Sequence, residues 1–211
     1  DLKTPLTSVV GYLTLLKDDP GLTHAQRAKF TGIALDKARR LEELLGEFFD
    51  ISRMDLDGGP EERSPIQLSM LLEQLADEFY PLFAEKELQC AVEIEHHLMV
   101  LGDPDKLARV FDNVLRNAVS YSIPGGQVYI QAQKADGQAQ VTIRNEGLEI
   151  PEGELANIFR KFYRLDAARS SRTGGAGLGL AIAKEIVERH GGGIRAESNG
   201  RLTSFTITLP L

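Results

Sequence analysis

The residues able to do chemistry gather in a glycine run, an asparagine pair and two short polar clusters. Thr173-Gly-Gly-Ala-Gly-Leu-Gly-Leu-Ala181 sets Gly174, Gly175, Gly177 and Gly179 ahead of a helical pattern carrying Ile182, Ala183, Ile186 and Val187. Glycine lets a backbone come close to a ligand. The helix start behind it offers unpaired N–H groups and a positive dipole end. The pair makes an anion site suited to phosphate. The preceding stretch 166–172 is polar rather than strand-like, so a dinucleotide fingerprint does not fit. Leu180-Ala181 stand where a P-loop has Lys and then Ser or Thr.

Asn113 and Asn117 lie four residues apart, on one face of a predicted helix, with Val110, Phe111, Val114 and Leu115 on its apolar side. A buried Asn is costly unless its amide is used. An amide oxygen is a hard ligand for magnesium, and two amides at this spacing can face one triphosphate. Asn145-Glu146-Gly147 ends a predicted strand; read alone it is a turn, though a polar side chain and a Gly that admits a flat ring also suit adenine. Phe159-Arg-Lys-Phe-Tyr-Arg164 leads into the polar loop 166–173, which reads as a lid hinged on the glycines.

These residues need a scaffold, and the pattern supplies an α+β one. A helix over 2–17, broken by Asp18-Asp19-Pro20-Gly21, precedes a longer helix to Met54 that opens with the capping box Thr23 to Gln26. At ~1.5 Å per residue these helices span about 24 Å and about 45 Å. The mismatch predicts a first helix that begins upstream of residue 1. The wide apolar stripe of the second predicts a dimeric four-helix bundle. After Gly58-Gly59-Pro60, helices are predicted over 67–85, 104–120 and 177–190. Period-two strands are predicted over 88–94, 127–133, 139–145, 193–198 and 203–209, with a short one at 98–101. Alternation in Val128, Ile130, Ala132 and in Phe205, Ile207, Leu209 buries one sheet face under helices, which makes a two-layer α/β sandwich. The predicted domains are 1–58 and 64–211.

A net charge of -7 argues against nucleic acid or an anionic membrane surface as main partner. The single Cys90 excludes disulfides within the chain and a multi-cysteine metal site. The histidines His24, His96, His97 and His190 are too scattered for a metal cluster, and His190 reads as a helix cap whose charge would suit the dipole. No apolar run approaches the ~20 residues of a membrane span.

In this order the clusters resemble the sensor histidine kinases. Asn113 to Asn117 is similar to their N box, Asn145 to Pro151 to the first glycine box, Phe159 to Arg164 to the F box, and Gly174 to Leu180 to the second glycine box. Asp1-Leu-Lys-Thr-Pro-Leu6 resembles the residues directly after the phosphoacceptor histidine. Stretches such as Asp1 to Leu13, Gly102 to Phe111 and Lys161 to Glu185 are similar to the vancomycin-resistance sensor kinases. The resemblance implies a helical dimerisation and phosphotransfer hairpin followed by a Bergerat-type ATP-binding sandwich. It implies ATP and Mg2+ as cofactors, a homodimer, a cognate response regulator as partner, and a cytoplasmic place in a membrane-anchored parent.

Residue by residue, it implies Asn117 as magnesium ligand and Asn113 beside the phosphates. Tyr121 packs on adenine, Asn145 bonds its amino group, and Gly147 and Phe162 belong to the same pocket. Gly175, Gly177, Leu178 and Gly179 shape the phosphate loop, and Arg164 reaches the terminal phosphate. Asp1 orients or deprotonates the histidine, and Thr4 holds the water that dephosphorylates the regulator. The phosphoacceptor would stand one place before Asp1. Asn145 and Glu149 replace the usual Asp and second Gly of the first glycine box, and Ser120 replaces a frequent Lys. An ATP-hydrolysing relative of the chaperone or gyrase type would carry Glu where Asn113 stands, to activate water. A non-catalytic dimeric scaffold that binds a regulator is the remaining alternative.

Overall fold

The computed structural model describes residues 3–56, 63–165 and 177–211, and the chain divides into two units, Asp1–Gly58 and Gly59–Leu211. In the first unit, helix α1 (Lys3–Asp18) packs on α2 (His24–Leu56). The capping box forms as its sequence demands. The Gln26 side chain accepts from Thr23 N at 2.9 Å, and the Thr23 hydroxyl accepts from Gln26 N at 3.2 Å. Arg27 clamps the turn by donating to the carbonyls of Leu16 and Asp19. Tyr12 and Phe30 meet across the pair with ring centroids 5.6 Å apart. Pro5, Ala34 and Leu44 are buried, whereas Leu6, Val10 and Leu13 on α1 and Leu35, Leu45 and Phe49 on α2 face outward.

The second unit is a sheet with helices on one side. Strand β1 (Ser64–Gln67) pairs antiparallel with β3 (Met99–Gly102), apart from the main sheet. Helices α3 (Leu68–Glu78) and α4 (Tyr80–Glu85) follow β1. The main sheet runs β2 (Gln89–Ile94), β4 (Gln127–Ala135), β5 (Gln138–Glu146), β7 (Leu202–Pro210) and β6 (Gly193–Asn199) in spatial order. Among the described strands only β2 and β4 are parallel, because α5 (Pro104–Tyr121) lies in the connection between them and carries the chain back across the sheet. The turn-connected β4–β5 and β6–β7 pairs are antiparallel, as is β5–β7.

Two expectations need correction. The helix foreseen over 67–85 breaks at Phe79, since Pro81 has no N–H to continue the ladder and its ring crowds the preceding turn. Residues 64–67, foreseen partly as loop and partly as helix start, form a strand because the 98–101 segment needs an antiparallel partner.

The core lies between the sheet and the pair formed by α5 and α6 (Gly179–Arg189). Leu107, Val110, Phe111, Val114, Leu115 and Ala118 of α5 are fully buried, and Ile182, Ala183, Ile186 and Val187 of α6 are buried with them. Below them lie Val128, Ile130, Ala139, Val141, Ile143, Phe205 and Ile207. The opposite face carries a polar row in register, Glu93, Gln131, Thr142, Thr206 and Arg195.

Asp103 caps α5 by accepting from Asp105 N and Lys106 N, each at 3.1 Å. Its own N–H donates to His190 Nε2 at 3.1 Å, while His190 Nδ1 lies 2.8 Å from the Ile186 carbonyl. His190 is buried, and an Nε2 that accepts an amide hydrogen belongs to a neutral ring. It therefore ties the end of α6 to the start of α5 rather than serving as a charged cap.

Gly192, between α6 and β6, lies tight against β7. A Cβ added there stands 2.1 Å from the Thr208 carbonyl oxygen, whereas at neighbouring Gly193 it makes an ordinary 3.4 Å contact with the Thr208 hydroxyl. Gly192→Ala is expected to lower unfolding free energy by about 2 kcal/mol or more, and Gly193→Ala by less than about 1 kcal/mol. Urea denaturation of the two variants checks this, and equal midpoints would contradict it.

Candidate nucleotide site

Helix α5 places Asn113, Asn117 and Tyr121 four residues apart on one face, so the row extends about 12 Å along the helix. Both asparagines are half-buried and Tyr121 is exposed. At the Asn113 end lies the start of α6. A Cβ built on Gly179 would stand 3.2 Å from Asn113 Oδ1, so the glycine turn rests on this side chain. Asn113 Nδ2 is buried and has no hydrogen-bond partner among the described residues. Among the described residues none caps the α6 N-terminus with its side chain, and Leu178, at the cap position, is buried in the core. A buried amide donor without an acceptor costs ~1–3 kcal/mol. Here it stands beside the N-terminal N–H groups of an 11-residue helix. An anion at this place would accept from both, so the donor set fits a phosphate.

At the Tyr121 end, β5 delivers Asn145, which is 2% exposed, and then Gly147. A Cβ on Gly147 would meet the Tyr121 carbonyl oxygen at 2.4 Å and Asn145 Nδ2 at 3.0 Å. The glycine at this position thus admits the last turn of α5, where the sequence suggested only room for a flat ring. Gly147 N donates to the Arg201 carbonyl at 2.7 Å, and Ile123 N donates to the Glu146 carbonyl at 2.9 Å. The Glu146 carboxylate accepts from Gln127 N at 3.2 Å and so serves β4, which leaves Asn145 as the strand-end polar group at the site.

Two backbone positions in the left-handed region meet beside the start of α6. Phe162 has φ +66 and Gly177 has φ +73, and Phe162 N donates to the Gly177 carbonyl at 2.9 Å. A Cβ at Gly177 would lie 2.6 Å from the Tyr163 carbonyl oxygen, so this glycine is needed by the protein's own backbone. A left-handed conformation is uncommon for a bulky residue such as Phe, and it turns this ring outward, 58% exposed. Glu154 accepts from the Tyr163 hydroxyl and from Asn157 Nδ2. Those two bonds, Tyr163 first, hold the Glu154 carboxyl below its ordinary range, and the same bond pushes the Tyr163 phenol up. Glu154 was not singled out from the sequence, because nothing in the spacing tells which carboxylate will meet Tyr163.

Arg164 is half-buried and engaged with neighbours. Thr4 is exposed on the first turn of α1, while the hydroxyls of Thr7 and Ser8 are bonded to the carbonyls of Lys3 and Thr4. Asp1, Gly175 and the lid residues 166–173 lie outside the described residues.

Comparison with known proteins agrees with this geometry. Residues 102–211 match the family model described as histidine kinase-, DNA gyrase B-, and HSP90-like ATPase, and residues 1–57 match the His Kinase A (phospho-acceptor) domain. The whole chain is 50% identical to sensor protein VanS of Enterococcus faecium and 45% identical to sensor protein VanSC of Enterococcus gallinarum, over 210 residues in each case. It spans 54% and 58% of those two relatives, a little over half of their length. Among solved structures, full-length ShkA in complex with AMPPNP aligns with a TM-score of 0.76 at 27% identity, over 98% of this chain and 43% of that one.

The orphaned amide yields a prediction with two opposite signs. Asn113→Ala removes a buried donor that has no partner among the described residues, so the protein without nucleotide is expected to keep or gain stability. ATP affinity is expected to fall about tenfold, or ~1.4 kcal/mol. Urea denaturation and calorimetric titration on the same preparations check both signs. Loss of stability together with unchanged affinity would make Asn113 a packing residue.

Proposed function

The chain belongs to the sensor histidine kinases, joining a phospho-acceptor domain to an ATPase domain of the histidine kinase type, and on that footing we propose that it is the ATP-dependent kinase core of a two-component sensor. The observation that supports this most directly is the Asn113 amide, buried beside the start of α6, where among the described residues neither the amide nor the helix start has a side-chain partner. A triphosphate oxygen supplies what both lack.

In this reading Asn113 and the α6 N-terminus hold the phosphates, with Gly175, Gly177 and Gly179 shaping the turn. Tyr121 packs on adenine, and Asn145 accepts from its amino group without charge assistance. Phe162 borders the pocket and Arg164 neutralises charge at the terminal phosphate. Asn117 would hold Mg2+, which offsets the charge that develops on the triphosphate when bound.

An imidazole nitrogen attacks the γ-phosphorus, the bond to the bridging oxygen breaks, and ADP leaves. Asp1 takes the ring proton. The acceptor is a histidine placed directly before Asp1 in the parent protein, and none of the chain's four histidines is on α1. The phosphoryl group then passes to a response regulator. Thr4, exposed on α1, aims the water that later removes it from the regulator's carboxylate. The outward apolar residues of α1 and α2 support a homodimer through the first unit. The parent is a membrane-anchored sensor with this core on the cytoplasmic side. Among the described residues no helix is long and apolar enough to cross a membrane.

Hydrolysis of ATP by water would need a carboxylate where Asn113 stands. Its neighbour Asp112 is already paired to Arg116 at 2.8 Å.

Two measurements follow. With histidine added ahead of Asp1, the chain is expected to take acid-labile phosphate from γ-labelled ATP, and Asn117→Asp is expected to cut the rate by about 100-fold. A phosphoryl group that survives acid, or labelling that ignores Asn117, would overturn the kinase assignment. Using a receiver domain phosphorylated by a small-molecule phosphodonor, the chain is expected to speed phosphate loss at least threefold, and Thr4→Ala to abolish most of that gain. Decay at the rate of the receiver alone would remove Thr4 from the reading.

A further inference from the structure

Helix α5 ends without a basic residue of its own in the last turn, yet its terminal carbonyls are accounted for. The Ala118 carbonyl accepts from Ser122 N at 3.0 Å and from the Ser122 hydroxyl at 2.7 Å. The next two are taken by a residue more than thirty positions earlier. Lys86 Nζ donates to the Val119 carbonyl at 2.8 Å and to the Ser120 carbonyl at 2.9 Å. The Tyr121 carbonyl then lies over Gly147. Lys86 stands in the turn between α4 and β2, and its own carbonyl accepts from Gly125 N at 3.1 Å. One residue therefore grips both the end of α5 and the loop that follows it.

A cation at a helix C-terminus satisfies orphan carbonyls and meets the negative dipole end. Burial pushes the Lys86 ammonium below its ordinary range, with Glu85 opposing, as expected of a charge drawn in against carbonyls. The asparagine end of α5 does not need this tie, since it is fixed by the seam with α6 and by the Asp103 cap. The ring of Tyr121 does need it, because Tyr121 is the last residue of the helix and is 48% exposed, so packing alone holds little of it.

We propose that Lys86 is a positioning residue for the base end of the nucleotide pocket, holding Tyr121 and Gly147 in place through the Val119 and Ser120 carbonyls. The inference rests on the ATP-binding reading above and adds to it a residue that touches no ligand. It sets how tightly adenine is held and leaves the phosphate end alone.

The experiment is a set of double-mutant cycles on the 211-residue chain, read by calorimetric titration with Mg-ATP. Lys86→Met is expected to weaken ATP binding about fivefold. Lys86→Arg, which keeps a cation and donors, is expected to restore affinity to within about twofold of wild type. Added to Tyr121→Ala, Lys86→Met is expected to cost less than about twofold more, whereas added to Asn113→Ala it is expected to cost its full factor. Lys86→Gln replaces the methionine variant if that one does not fold. Wild-type affinity in Lys86→Met, no rescue by Arg, or a full additional loss in the Tyr121→Ala background would each overturn the positioning role. A wild-type chain that binds no ATP would instead bring down the nucleotide reading, and this inference with it.

Discussion

The antiparallel packing of α5 on α6 is the contact on which the second unit depends, because one buried seam both closes the core and brings the asparagine helix to the glycine turn. Phe111, Val114 and Leu115 on one side and Ile182, Ile186 and Val187 on the other are almost wholly withdrawn from water. Each such side chain is worth ~1.5–3 kcal/mol of burial. The direction of the pair is set at its far end, where neutral His190 accepts from Asp103 N and reaches the Ile186 carbonyl. With the end of α6 held at the start of α5, the start of α6 must lie about ten residues along α5, and Asn113 stands there. A hydrogen bond at one end thus places the Asn113 amide beside the start of α6 at the other.

The site concentrates features that an unliganded fold would not choose. Asn113 Nδ2 lacks a partner among the described residues, α6 starts without a side-chain cap, and Phe162 holds a left-handed backbone. Such features cost ~1–3 kcal/mol apiece and persist only where the surroundings over-determine them. The surroundings do so here. The Gly177 carbonyl binds Phe162 N, the Glu154 carboxylate holds Tyr163 and Asn157, and the seam fixes Asn113. Binding of a phosphate would relieve two of these features at once, which is why they support a nucleotide reading better than any one residue does.

On the proposed reading, Lys86 gives the pocket two separately held ends. The phosphate end is built into the hydrophobic seam, and the base end hangs on a lysine and a glycine crossing. The first is as stiff as the core. The second depends on two charge-assisted hydrogen bonds at the rim, so in this reading affinity for the base can change without disturbing the groups proposed to face the phosphates.

Much of this was legible in the sequence alone. The Thr23–Gln26 capping box, the alternation of Val128, Ile130 and Ala132, and the four-residue spacing of Asn113, Asn117 and Tyr121 are local patterns. Local patterns map directly onto helix and strand periodicity. The break at Phe79 was also written there, in Pro81, but was hidden by an apolar period that runs on across it. Strand β1 was not legible, since four residues with a proline show no alternation and become a strand only beside Met99–Gly102. Tertiary structure alone decided that Gly147 admits the Tyr121 carbonyl, that Gly177 is required by Tyr163, that Glu154 meets the Tyr163 hydroxyl, and that Lys86 closes α5 from more than thirty residues away. Each of these joins groups whose separation along the chain carries no periodic signal, and only the path of the folded backbone brings them within hydrogen-bonding distance.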